Sequence, residues 1–243
     1  MKALIHRILY RTLPLEGYLR VVSRMFFLWQ RLGLGRYAPV TEYVYHLAQL
    51  VRAGDTCIDI GANLGYYART ISRLAGPAGR VFAVEPVAPI RKVLSHNLRR
   101  CANVEILPYA LGAEARDVVM GNDSARESGY FGTGQNFVND SGEKPDVEFT
   151  ARMRRGSELF ADLQRLDFIK CDIEGYELTV MREMRPLLER FHPTVLIETG
   201  GDNRPEIIRL FTELGYRGTT LDHGREVPLT TDSTKDIIFR HAH

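Results

Sequence analysis

The sequence predicts an α/β fold: a mostly parallel sheet of seven strands with helices on both faces, a helical extension at the amino terminus and an inserted hairpin. Two observations carry this. From Gly54 onward short apolar runs alternate with helical segments, which is the pattern of βαβ units. The chain of 243 residues, 44% hydrophobic and 26% charged, is long enough to bury one large core.

Residues 1–50 read as the extension and residues 51–243 as the main domain. Leu4, Ile5, Ile8 and Leu9 share one face of a short helix that Leu13-Pro14 ends. A second apolar and basic stretch runs over residues 18–32 and stops at Gly33-Leu34-Gly35, and residues 41–51 read as another helix. Up to Arg36 the basic residues Lys2, Arg7, Arg11, Arg20, Arg24, Arg31 and Arg36 face a single acid, Glu16. Such helices either cover the domain or pair with a second subunit, or they lie on an anionic membrane surface; the packing reading is favoured.

The strands are expected at residues 56–60, 81–85, 104–109, 168–172, 194–198, 217–221 and 236–240. The last follows a turn-rich stretch instead of a helix, so it is expected to run antiparallel and close the sheet. Over about residues 113–156 the rhythm fails. A polar segment containing Tyr130, Phe131 and Phe137 lies there between two strand-like pieces, residues 117–120 and 146–153, and reads as a hairpin or lid that would set specificity.

The net charge of +2, from 32 basic and 30 acidic residues, gives no field to recruit nucleic acid, so a small-molecule or glycan partner is expected. Cys57 and Cys171 sit inside apolar runs and behave as small buried hydrophobes. No stretch is long and apolar enough to span a bilayer, and the first ten residues make a poor signal peptide. A cytoplasmic protein, at most peripheral to a membrane, is expected.

In open α/β sheets ligands bind beyond the carboxyl ends of the strands. After the first strand come Asp59-Ile60-Gly61-Ala62-Asn63-Leu64-Gly65-Tyr66, a glycine turn opening a helix. A dinucleotide fingerprint needs a second glycine where Asn63 stands, so that backbone can approach a pyrophosphate. S-adenosylmethionine has no phosphate, and a small polar side chain suits its amino acid and ribose. Glu85-Pro86 ends the second strand, 24 residues after Gly61, where a carboxylate accepts hydrogen bonds from ribose hydroxyls. Tyr109-Ala110-Leu111 after the third strand offers backbone groups and a flat surface to adenine. The fourth strand brings Lys170, Asp172 and Glu174 to an end that should be buried, where ionisable groups are costly unless paired or used. Glu198 ends the fifth strand beside them. The histidines His96, His192 and His223 are left out of the site. An NAD-type oxidoreductase and a non-catalytic adenosine-binding module remain as alternatives; Asn63 speaks against the first and the acid cluster against the second.

With the turn over residues 59–67, Glu85-Pro86 and Asp167-Phe168-Ile169-Lys170-Cys171-Asp172-Ile173-Glu174-Gly175-Tyr176-Glu177 in this order, the chain resembles the FkbM family of methyltransferases. The resemblance implies a Rossmann-like class I methyltransferase fold and O-methylation by S-adenosylmethionine of a hydroxyl on a sugar, glycolipid or secondary metabolite. It implies that Asp59, Gly61, Asn63, Gly65, Tyr66, Glu85, Pro86, Ala110 and Asp172 hold the cofactor. Asp172 and Glu174, with Glu198, would face the methyl group and acceptor. Asp172 is the expected proton acceptor; a divalent cation such as Mg²⁺, held by the three acids, is the alternative way to acidify the hydroxyl.

Overall fold

The computed structural model describes residues 2–38, 41–200, 203–230 and 233–242; the glycine and acid at 201–202 that end the fifth-strand segment lie outside them. The strands are β1 (Thr56–Ile60), β2 (Arg80–Val84), β3 (Val104–Leu107), β4 (Tyr109–Leu111), β5 (Arg116–Asn122), β6 (Phe137–Val138), β7 (Val147–Arg154), β8 (Phe168–Cys171), β9 (Thr194–Ile197), β10 (Tyr216–Asp222), β11 (Arg225–Pro228) and β12 (Ile237–His241). The helices are α1 (Lys2–Thr12), α2 (Leu15–Arg31), α3 (Glu42–His46), α4 (Tyr66–Ala75), α5 (Ala88–Leu98), α6 (Ser124–Ser128), α7 (Gly156–Leu159), α8 (Glu177–Glu183), α9 (Arg185–Phe191) and α10 (Arg204–Glu213).

The main sheet runs β11-β10-β12-β9-β8-β1-β2-β3. Pairings among β9, β8, β1, β2 and β3 are parallel, and those of β12 with β9 and β10 are antiparallel. This is the expected Rossmann-like α/β fold, with two differences. The sheet has eight strands, because Arg225–Pro228 folds back on β10 as an antiparallel edge. The reversed strand β12 does not close the sheet; it sits inside it, between β9 and β10.

Parallel strands covered on both faces read as continuous apolar runs. On one face Ile58, Ile60, Ile169, Cys171, Val195 and Ile197 pack with residues of α8, α9 and α10. On the other, Cys57, Phe168 and Leu196 meet Tyr43, Leu47 and Ile71 from the segment before β1 and from α4. Each buried aliphatic side chain contributes about 1.5–3 kcal/mol.

The expected third strand, residues 104–109, is split. Pro108 has no N–H to give a ladder, so Tyr109–Leu111 leaves the main sheet and pairs in parallel with β7. A second sheet results, of order β4-β7-β5-β6, and the insert is therefore three strands and a short helix added to β4, not a lone hairpin. The amino-terminal helices are tied to the domain as well. Tyr18 and Leu19 of α2 are buried with Leu64, Ile90 and Met120, and the Tyr18 hydroxyl donates to the Phe131 carbonyl at 3.0 Å. Among the described residues no helix is long and apolar enough to cross a membrane.

Candidate active site

Strand order reverses about β1, between β2 and β8, which opens a crevice beyond their carboxyl ends. An open cleft lies there, about 610 Å³ with its solvent-filled mouth counted. Gly61, Asn63, Glu85, Pro86, Ala110 and Asp172 line it, together with Glu174.

The chain turns sharply after β1 because Gly61 and Gly65 take φ of +77° and +89°, and Asn63 takes +50°, a left-handed value that asparagine tolerates better than most residues. Gly61 has a second reason to lack a side chain: a Cβ there would stand 2.0 Å from the Asp172 carbonyl oxygen. The turn thus packs directly on the chain leaving β8. Asn63 donates its backbone N–H to Glu85 Oε2 at 3.0 Å, and Val87 donates its own to Oε1 at 2.8 Å. Burial outweighs these bonds and pushes the Glu85 carboxyl up to about 7. The Asn63 side-chain oxygen is buried without a partner among the described residues, on a residue that lines the cleft.

The acids after β8 are organised by Lys170. Its ammonium is buried, 2.9 Å from Asp172 Oδ2, 3.8 Å from Asp59 Oδ1 and 4.8 Å from the centre of the Tyr67 ring. Burial works against the Asp172 charge, but Lys170 prevails and holds this carboxyl below its usual range. Glu198 shares a hydrogen bond with Asp172; that bond, burial and the neighbouring charge push Glu198 up to about 10, so Glu198 keeps the proton. Glu174 has a left-handed backbone at φ +55° and is raised to about 7 by burial and by Asp172. Its loop is pinned by the buried Glu177 carboxylate, which accepts the N–H groups of Ile173 at 2.9 Å and Gly175 at 3.1 Å.

Three expected cofactor residues do not line the cleft. Asp59 is fully buried beneath the turn, where burial raises it to about 6 against the pull of Lys170. Gly65 packs against Leu94 and Leu98 of α5, at 3.0 and 3.3 Å from an added Cβ. The Tyr66 ring packs at a tilt against Phe26, ring centres 4.0 Å apart, and its hydroxyl meets Thr133. These residues shape the turn from behind. Glu198 also stands outside the lining, next to Asp172. None of His96, His192 and His223 lines the cleft.

The insert forms a roof, through Met120, Thr133, Gly134, Asn136 and Val138. Phe131, expected among the residues closing over the acceptor, is instead buried in the core with Tyr18. The buried Asn122 secures the roof loop by donating to the Gly132 carbonyl at 2.9 Å, and Gly132 donates to Ser124 Oγ at 2.7 Å.

Residues missed in the sequence join the acid group. Asp236 precedes β12, and the pairing of Ile237 with Ile197 sets it level with Glu198; burial and Asp172 raise it to about 7. The signal was available: in a reversed strand it is the amino end that meets the carboxyl ends of its neighbours. Tyr67, on the first turn of α4, is counted with Asp236 by its contact with Lys170.

Residues 59–217 match the family described as Methyltransferase FkbM domain. The chain is 26% identical over 173 residues to the AMB antimetabolite synthetase AmbE of Pseudomonas aeruginosa; that stretch is 58% of this chain and 8% of the synthetase, so the chain spans a small part of that relative. Among solved structures, the methyltransferase FkbM of Methylobacillus flagellatus KT is similar at a TM-score of 0.50 and 15% identity, over 82% of this chain and 50% of that one. A putative rRNA-methylase of Clostridium thermocellum is similar at a TM-score of 0.50 and 9% identity, over 84% of this chain and 96% of that one. At these identities the two structures speak for the fold alone.

Proposed function

This chain belongs to the FkbM methyltransferase family, and we propose that it is an S-adenosylmethionine-dependent methyltransferase that acts on a hydroxyl of a sugar, glycolipid or secondary metabolite. The observation that carries the reading is the pairing of an ionised Asp172, held by Lys170 at the cleft, with a protonated Glu198 beside it outside the lining. One carboxylate is thereby kept free to accept a proton, and a hydroxyl acceptor needs such a group.

The six lining residues named above suit an adenosine ligand. Glu85 offers carboxylate oxygens to the ribose hydroxyls, Ala110, Leu111 and Val138 give an apolar wall for adenine, and Asn63 and Gly61 face the amino-acid end. The bound cofactor supplies an electrophilic methyl group and leaves as S-adenosylhomocysteine, the electrons of the broken C–S bond going to sulfur. The chain's part is to hold the acceptor oxygen in line. Asp172 takes the hydroxyl proton as the new C–O bond forms. Glu174, which lines the cleft with its carboxyl raised to about 7, offers a hydrogen bond to a neutral polyhydroxyl acceptor, while Glu198 and Asp236 stay outside the lining next to Asp172.

Asp172, Glu174 and Glu198 each place a carboxylate oxygen within 4.8 Å of the others, a spacing a divalent cation tolerates. The donor set fits a dication poorly, however, because the Lys170 ammonium, 2.9 Å from Asp172 Oδ2, already supplies positive charge there. A metal-free reaction is therefore the reading taken.

The test is methyl transfer from labelled S-adenosylmethionine to glycosides, glycolipids and small alcohols, with and without EDTA. The expected product is an ether, stable to mild alkali, formed equally with EDTA present. Label found only in amines, or in alkali-labile esters, contradicts the reading.

A further inference from the structure

All the large hydrophobic side chains that stand exposed among the described residues fall between Leu4 and Tyr37. They form faces. Leu4, Ile5 and Ile8 lie together on α1, and Met25, Leu28, Trp29 and Leu32 follow one another at the spacing of a single helical stripe along α2 and its end. Leu28 and Trp29 are each 55% exposed and Leu32 63%, with Tyr37 just beyond at 62%. Over those turns the opposite side of α2 is the one that packs, through Ser23, Phe26 and Gln30. The helices thus cover the domain and still leave an apolar stripe without a partner.

The stripe borders a groove between α2 and α4 that presents Arg31, Arg36, Arg69, Arg73 and Arg100 and contains no acid. None of these arginines pairs with a carboxylate among the described residues; Arg36 and Arg69 rest instead over the rings of Tyr45 and Phe27. Cations interleaved with a tryptophan and aliphatic side chains, on a helix too short and too charged to span a bilayer, are the chemistry of a helix lying in a lipid interface.

We infer that this face, the Met25-to-Leu32 stripe with its flanking arginines, docks on a membrane of anionic phospholipid, the apolar side chains entering the headgroup boundary and the guanidinium groups meeting phosphate. Charge complementarity selects this occupant. A second copy would bring the same arginines against themselves, and a soluble polyanion would leave the apolar stripe in water. The inference rests on surface residues outside the cofactor cleft and is independent of the reaction proposed above.

Trp29 is the chain's single tryptophan, so its emission reports this face alone. The full chain is titrated with vesicles of phosphatidylcholine, and with vesicles of phosphatidylcholine and phosphatidylglycerol at three to one. The expected result is cosedimentation and a blue shift of Trp29 with the anionic vesicles only. Arg31→Glu/Arg36→Glu should weaken binding at least about tenfold, given the surface attraction each charge supplies. Leu28→Ser/Leu32→Ser should weaken it similarly with an unchanged thermal midpoint, which shows that the variant is folded. No cosedimentation overturns the inference. So does binding without a Trp29 shift, an equal shift with heparin, or a shift that follows protein concentration without vesicles, which would assign the stripe to a second copy.

Discussion

Lys170 Nζ lies 2.9 Å from Asp172 Oδ2. The two residues sit two positions apart at the end of β8, and the register of β8 on β1 places Asp59 directly beside Lys170. One buried cation therefore serves two carboxylates: Asp59, which is wholly enclosed, and Asp172, which opens to the cleft. The asymmetry fixes which of the two acids stays ionised at the cleft.

If Asp172 takes the proton, Asp172→Asn should lower turnover by about 10²- to 10⁴-fold, the usual contribution of a positioned base. S-adenosylhomocysteine affinity should change by less than about tenfold, because the loss belongs to the chemical step. Single-turnover kinetics beside a binding titration separate the two effects.

Removing the cation leaves two carboxylates facing one another in a buried site. Lys170→Met should destabilise the fold by about 3–5 kcal/mol, the cost of breaking a buried pair from one side. Asp59→Asn combined with Lys170→Met should recover part of it, since the deeper of the two orphaned charges is then gone. Urea unfolding of the unaltered chain and the two variants measures both numbers.

Two glycines with left-handed backbones separate strain from space. Gly175 has φ of +95° and nothing within 4 Å of an added Cβ, so Gly175→Ala should cost about 1 kcal/mol, the backbone term alone. Gly61→Ala adds a collision with the Asp172 carbonyl oxygen, 2.0 Å from the new carbon. It should destabilise more and weaken S-adenosylhomocysteine binding, because the turn and the β8 exit must part. Thermal unfolding and titration of both variants make the comparison.

Stability should fall as pH rises toward neutrality. Glu85 and Asp236 are raised to about 7 and Asp59 to about 6, all chiefly by burial, from ordinary values of 4.5 and 3.8. The folded chain then binds more protons than the unfolded chain across that window. The contribution of these acids is complete below about pH 4 and is lost as pH rises through 6 to 7. Glu226 has the opposite sign: burial is overcome by bonds from Arg240 and His46, its carboxyl is lowered to about 2, and its contribution is lost only in stronger acid. The ligand-free protein should therefore melt at a higher temperature at pH 5 than at pH 7.5. A midpoint that rises over this range contradicts the assigned shifts.

Much of this was legible in the sequence. The parallel strands declared themselves because burial on both faces demands unbroken apolar runs, and the strand-end rule then led to Gly61, Asn63, Glu85 and Asp172. What escaped depended on contacts between distant residues. Arg225–Pro228 is short and polar, and only pairing with β10 makes it a strand. Tyr66 stands next to the turn, yet its ring goes to Phe26, forty residues earlier, as nothing in the local pattern announces. The roof over the cleft is built by loop residues Thr133, Gly134 and Asn136, whose position is set by Asn122 and Ser124 from the far side of the insert. Asp172 is the expected proton acceptor from its place after the fourth strand, but its contacts with Lys170 and Glu198 arise only in the fold.

The central claim is that the crevice about β1 holds S-adenosylmethionine through Glu85, and the most direct measurement is calorimetric titration with S-adenosylhomocysteine of the unaltered chain and of Glu85→Ala. The account predicts one site of micromolar affinity, weakened at least about tenfold by loss of the charged hydrogen-bond acceptor, with no binding of NAD. Equal affinity in the two proteins, or binding of NAD in place of S-adenosylhomocysteine, would contradict it.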